Sequence, residues 1–191
     1  MRYALFLIVV AVLLAGCATG TGAVARGGTF EFVSPGGKTD IFYDPPAERG
    51  TVGELSGPSL TEPAATVSLD RYPDQVVVLN VWGSWCGPCR SEATDLVQVA
   101  GATAAERVQF IGINVRDSQQ AGADFARDFG LTYPSIFDPP GRTLFALRGI
   151  PRAVVPLTIV LDRHHRVAAV FLHSVHAQDL QPVVHRITTE P

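Results

Sequence analysis

The sequence predicts an α/β domain with a central mixed sheet flanked by helices, and three observations carry that expectation. Residues 75–82 and 108–115 are continuous apolar, β-branched runs that fit strands buried on both faces. Each is followed by a segment of helical character. Two further apolar runs, 157–162 and 166–172, are separated by a short polar link at 163–165, which reads as an antiparallel hairpin. With 47% hydrophobic and 17% charged residues among 191, and a net charge of -3, the chain has the composition of one compact domain plus an N-terminal extension.

The N-terminus reads as an address before it reads as structure. Met1-Arg2 is a short positive start, residues 3–15 are almost wholly apolar, and Leu14-Ala15-Gly16-Cys17 has the form of a lipoprotein signal. The apolar run is shorter than the roughly 20 residues needed to cross a bilayer. Residues 1–16 are therefore expected to be a signal peptide, and the resemblance to lipoproteins implies that Cys17 becomes the lipidated first residue of the mature chain. Several acyl chains on one residue give stable attachment where one is marginal. Residues 17–28, small and Gly-rich, are composed like a flexible spacer, which leaves 29–191 as the domain, tethered at the outer face of the cytoplasmic membrane.

Within that domain, residues 29–34 and 38–43 alternate in character around Pro35-Gly36-Gly37, which predicts an N-terminal β-hairpin. Residues 44–63, with several Pro and Gly, read as a loop over the domain or a linker. The strand at 75–82 leads into a helix from Cys86 to about residue 104, and the strand at 108–115 into a helix at 121–129 ended by Gly130. A Pro-rich loop at 133–141, a short helical stretch at 142–147, the hairpin, and a last helix at 177–188 with Pro182 in its first turn complete the order.

The chemistry is concentrated at Trp85-Cys86-Gly87-Pro88-Cys89, between the first buried strand and its helix. Two thiols separated by two residues can close a disulfide when the first sits at a helix N-terminus and the second one turn inside. Unpaired N–H groups and the positive end of the helix dipole favour a thiolate at Cys86, lowering its pKa from about 8.5 toward about 7. Cys86 is then the nucleophile and Cys89 the resolver, and Pro88 is tolerated where no intrahelical donor is needed.

Other chemistries fit less well. A four-cysteine zinc site needs a second Cys pair, and the only other cysteine is Cys17. No Pro-x-x-x-Thr-x-x-Cys arrangement is present to activate a peroxidatic thiol. The mild acidity and the lack of any basic cluster give no footprint for nucleic acid. Of the 15 basic residues only Lys38 is lysine, a bias on which no function is built.

The stretch Val78-Leu79-Asn80-Val81-Trp82-Gly83-Ser84-Trp85-Cys86-Gly87-Pro88-Cys89-Arg90-Ser91-Glu92 resembles the TlpA/ResA-type membrane-tethered thioredoxins, in particular actinobacterial members associated with cytochrome c maturation. The element order is that of a thioredoxin fold, and the resemblance extends over roughly residues 44–180. It implies an extracytoplasmic thiol:disulfide oxidoreductase, needing no cofactor, that acts mainly as a reductant. Its client would be the haem-attachment cysteines of an apocytochrome c or a partner in that pathway, and a CcdA-like membrane carrier would supply its electrons. The same resemblance picks out Pro156, before Leu157-Thr158, as a cis-proline facing the disulfide, with Pro151 as a rival placed too far from the strand's end. Val155 would then offer its backbone to an extended substrate segment. Glu92 matches an acidic residue of the active site, able to raise both thiols' pKa values and to move a proton at Cys89. Asn80 stands where cytosolic thioredoxins carry a buried aspartate, which makes Glu92 the more important acid. Trp82 and Trp85 are expected to shield the disulfide, Trp82 with core packing as an alternative. A disulfide-forming oxidase is the enzymatic alternative. A copper-binding assembly factor using both thiols and one of His164, His165, His173 or His176 is the non-enzymatic one, although such chaperones usually space their cysteines more widely.

Overall fold

A computed structural model describes residues 28–33 and 35–190. The expected signal segment, Cys17 and the spacer up to residue 27 lie outside the described residues. Eight strands form two sheets: β1 (Asp40–Phe42), β2 (Ser56–Pro58), β3 (Thr66–Ser68), β4 (Val76–Trp82), β5 (Val108–Asn114), β6 (Ser135–Phe137), β7 (Leu157–Leu161) and β8 (Val167–Phe171). The helices are α1 (Gly87–Thr103), α2 (Gln119–Asp128) and α3 (Ala177–Thr188). The main sheet runs β1-β8-β7-β4-β5-β6; β4, β5 and β6 are parallel, and β7, β8 and β1 join antiparallel.

The apolar character of β4, interrupted only by Asn80, has a physical cause, because every one of its seven residues is buried. Val76 and Val78 face Leu96 and Val99 of α1 and Leu180 and Val184 of α3, while Val77, Leu79 and Val81 face Phe30, Tyr43, Leu55, Leu144 and Leu147 on the other side. Strand alternation thus divides one apolar run between two cores. Trp82, at the C-terminal end of β4, leads a third cluster with Phe125, Ala126 and both cysteines.

The N-terminal segment departs from the expected hairpin. It does supply a strand, but β1 pairs with β8, and the 29–34 stretch is not its partner. The alternation in that stretch is genuine: Phe30 is buried and donates its amide to the Thr51 carbonyl, and Phe32 donates to the Arg148 carbonyl. Pairing with β8 covers an edge that the β7–β8 hairpin would leave open, and Phe42 packs edge-on against Phe171 at 6.0 Å between ring centroids. Pro35–Gly37 forms a single 3-10 turn with Gly36 at φ 64°.

Two short elements were hidden by turn-forming residues. Residues 44–63 pack over the domain and contain β2, whose partner β3 follows, with Leu55 and Leu60 buried. The Pro-rich stretch at 133–141 contains β6, parallel to β5. Pro182 lies in the second turn of α3, beyond the first turn where it was expected; it and Gln178, whose carbonyl loses its helical donor, are both exposed, so water can serve that carbonyl.

Candidate active site

Cys86 is the N-cap of α1, with extended φ/ψ, and its Sγ accepts a hydrogen bond from the Cys89 amide at 3.1 Å. Cys86 and Cys89 are joined as a disulfide with Cα atoms 5.3 Å apart, and Pro88 occupies the first turn. A sulfur at this position faces the free N–H groups and positive dipole end of a 17-residue helix, the environment that favours a thiolate. Both cysteines are only 2% exposed in this oxidised state.

A buried polar network centres on Glu92, one helical turn beyond Cys89 on α1. Glu92 is 1% exposed and accepts from Asn80 Nδ2 on β4 at 2.9 Å and from the Val175 amide at 3.0 Å. Asn80 Nδ2 also donates to Thr158 Oγ1 at 3.1 Å, across the β4–β7 pairing in which Asn80 stands opposite Thr158. Burial lifts the Glu92 carboxyl to about 7, although the Asn80 and Val175 hydrogen bonds and the positive field of His173 pull the other way. Desolvation is the largest cause of this rise, and at 1% exposure Glu92 is not a solvated surface carboxylate.

The Val155–Pro156 bond is cis, whereas Pro151 follows a trans bond. Pro156 is buried, and Val155 packs against the cluster that contains both cysteines. Among the described residues the Val155 amide and carbonyl have no backbone partner. Trp82 combines the two expected roles: it is 2% exposed, stacks on Phe125 at 4.9 Å and sits with the cysteines. Trp85 is 48% exposed; its ring lies over Gly83, its Nε1 donates to the Val115 carbonyl at 3.1 Å, and the Arg116 guanidinium covers it at 4.6 Å.

Asp117 is a residue that sequence reasoning missed. Its carboxylate accepts from the Ser84 amide and hydroxyl at 2.6 and 2.8 Å, from Asn114 Nδ2 at 2.9 Å and from the Ser118 amide at 2.9 Å. It therefore ties the loop before Cys86 to the end of β5. The available signal was an Asp three residues beyond the end of a buried parallel strand, where α/β sites gather. The histidines are dispersed: His173 contacts Asp40, His176 contacts Asp95, His185 contacts Glu106, His165 contacts the Tyr72 carbonyl, and His164 sits in the β7–β8 turn. Among the described residues no three His, Cys, Asp or Glu side chains gather as a metal site.

A model of the AhpC/TSA family matches residues 54–170. The chain belongs to that family. Within it, a solved DsbF homologue from Corynebacterium diphtheriae is 54% identical, with a TM-score of 0.78 over 83% of this chain and 99% of that one. The thiol:disulfide interchange protein DsbE of Allochromatium vinosum is 33% identical over 141 residues, 70% of this chain and 73% of that protein. The thiol-disulfide oxidoreductase ResA of Geobacillus kaustophilus is 27% identical over 113 residues, 59% of this chain and 63% of that protein. This AhpC/TSA member is thus a thiol–disulfide oxidoreductase of TlpA/ResA type with a thioredoxin-like fold, as its motif implied. No helix among its described residues is long and apolar enough to cross a membrane.

Proposed function

We propose that the protein is a membrane-tethered, extracytoplasmic disulfide reductant that serves cytochrome c maturation. The observation that carries this reading is the helix N-cap dithiol with a buried carboxyl one turn further along the same helix, its pKa near neutrality, and the unpaired backbone of Val155 packed against the cysteine cluster. In the reduced protein the Cys86 thiolate attacks one sulfur of a client disulfide. A Cys86–client mixed disulfide forms, and the client's other sulfur leaves as a thiolate and takes a proton. Glu92 accepts the proton of Cys89, whose thiolate attacks Cys86 Sγ. This closes the Cys86–Cys89 disulfide and releases the client as a dithiol. Two electrons and two protons pass to the client, and a CcdA-like membrane donor restores the protein's dithiol. Trp85, Val155 and Pro156 form the contact surface for the client, Val155 by backbone pairing with an extended segment.

The resemblance to DsbE and ResA proteins supports the assignment to apocytochrome c cysteines or a maturation partner, and Cys17 in its lipoprotein-like setting supports the tether. Outside the cytosol thiols drift to oxidation, so a reductant there needs an electron supply through the membrane. Trapping tests the order of attack. Cys89→Ser is expected to accumulate mixed disulfides with clients, because attack occurs and resolution fails, whereas Cys86→Ser accumulates none. Equal trapping by the two variants, read on non-reducing gels, contradicts the assignment.

A further inference from the structure

The face around the disulfide carries arginines that have no acidic partner. Arg90, Arg116 and Arg152 are exposed, and among the described residues none is within salt-bridge distance of a carboxylate. Among the described residues only Arg49, Arg127, Arg166 and Arg186 pair with a carboxylate, so what marks the disulfide face is the stacking of its free arginines on exposed rings. Residues 139–161 contain Arg142, Arg148 and Arg152 and no acid, in a chain whose net charge is -3. The acids beside this face are Asp117, whose oxygens take four hydrogen bonds, and Asp138, which takes three from Arg142 and Thr143; Glu54 follows Gly53, whose amide bonds the Ala146 carbonyl at the far end.

Two of these arginines sit over exposed aromatic rings. Arg116 covers Trp85 at 4.6 Å, and Arg152 covers Phe145, which is 64% exposed, at 4.4 Å. A hydrogen bond from Arg116 Nη2 to the Ala153 carbonyl at 3.4 Å links the pairs, so a row runs from Cys86 through Trp85, Arg116 and Arg152 to Phe145. A guanidinium stacked on a ring keeps its in-plane N–H donors at the edge, free to take a carboxylate in a forked bond. The stacking also fixes its rotamer in advance, which lowers the entropy lost on binding.

We infer that this row is a docking surface for an extended polypeptide segment that carries Asp or Glu beside its reactive cysteine. This rests on the redox reading above and names the class of client it prefers. A polypeptide is favoured over a lipid surface because the row ends at the disulfide and at the unpaired backbone of Val155, both of which engage peptide. Exposed charges of this kind act on encounter and selectivity more than on the thiol chemistry.

The test uses the prereduced full chain carrying Cys17→Ser and three disulfide-linked peptides that differ only in having Glu, Gln or Lys on either side of the cysteine. Hydroxyethyl disulfide, small and neutral, reports the chemistry alone. At low ionic strength kcat/KM should favour the Glu over the Lys peptide by about tenfold, and the preference should fade near 1 M salt, where the Debye length is about 3 Å. In R116Q/R152Q the Glu-to-Lys ratio should fall to about one. Equal rates for the three peptides at low salt, with hydroxyethyl disulfide still reduced, overturn the docking surface and leave the redox reading standing. Failure to reduce hydroxyethyl disulfide overturns the redox reading itself. Binding to phosphatidylglycerol vesicles that R116Q/R152Q abolishes, without any peptide preference, assigns the arginines to a membrane and also overturns the proposal.

Discussion

Glu92 is where the chemistry of the site is set by a single side chain. A carboxyl lifted from 4.5 to about 7 by burial makes the folded state hold a proton that the unfolded chain releases. Folded stability therefore falls as pH rises from about 4.5 to about 7, and the cost is fully present above that window. Its size is on the order of 3 kcal/mol if the shift is taken whole. The same ionisation provides a base one helical turn from Cys89 at neutral pH. In Glu92→Gln the decline in stability across this window should vanish. Resolution of a Cys86 mixed disulfide should lose its rise through pH 7 and slow by about 100-fold there. Stopped-flow rates and melting curves at several pH values check both. A uniform loss of stability with an unchanged rate profile would make Glu92 structural. From the sequence Glu92 was readable only through resemblance, since its burial depends on Asn80, Thr158 and Val175, which come from three distant parts of the chain.

The junction of β4 and α1 was the most legible element, because its evidence is local. A seven-residue, mostly apolar strand, a tight turn and an N-cap cysteine three residues before its partner amide all lie within one stretch. The strands β2 and β6 were not legible: each has three residues amid Pro and Gly, and each exists only because a neighbouring strand offers partners. The N-terminal hairpin failed for a related reason. Alternation reveals a strand-like segment but not its partner, and the open edge of β8 offered β1 a better one. Gly83 marks how tightly the junction is built. A Cβ there would stand 2.4 Å from Trp85 Nε1, so Gly83→Ala must push the indole off its place. The expected outcome is loss of the Trp85–Val115 hydrogen bond, seen as a changed tryptophan fluorescence spectrum and faster exchange at the indole N–H. The fall in melting temperature should be slight, because the ring is exposed and can move. A large loss of stability with unchanged fluorescence would contradict this reading.

Across the whole molecule, chain segments remote in sequence meet at Arg49. Its side chain is fully buried and donates to the Tyr43 carbonyl, Asp44, Asp162 and Glu190, which ties the N-terminal segment, the β7–β8 turn and the C-terminus to one cation. Burial opposes the charge, but these acceptors outweigh it and hold the guanidinium above even its usual high pKa. Arg49→Met leaves Asp162 and Glu190 without their buried cation and should cost about 3–5 kcal/mol, lowering the melting temperature by about 10 °C. A cost below about 1 kcal/mol in chemical denaturation would show that the segments hold together without it. No sequence pattern announced this cluster, because its members span residues 43–190 and each acid alone looks like solvated surface. The dithiol, the two central strands and the family resemblance, by contrast, all followed from one motif and the apolar runs around it. The direction of electron flow belongs to the molecule as a whole, since it depends on how the helix end, the buried Glu92 and the packing around both cysteines together weigh the dithiol against the disulfide. The most direct test is the reduction potential of the Cys86/Cys89 pair in the full chain carrying Cys17→Ser, measured at pH 7 against a dithiol buffer. A value near about -270 mV is expected for a reductant, whereas a value near about -120 mV would mark an oxidase and contradict the account.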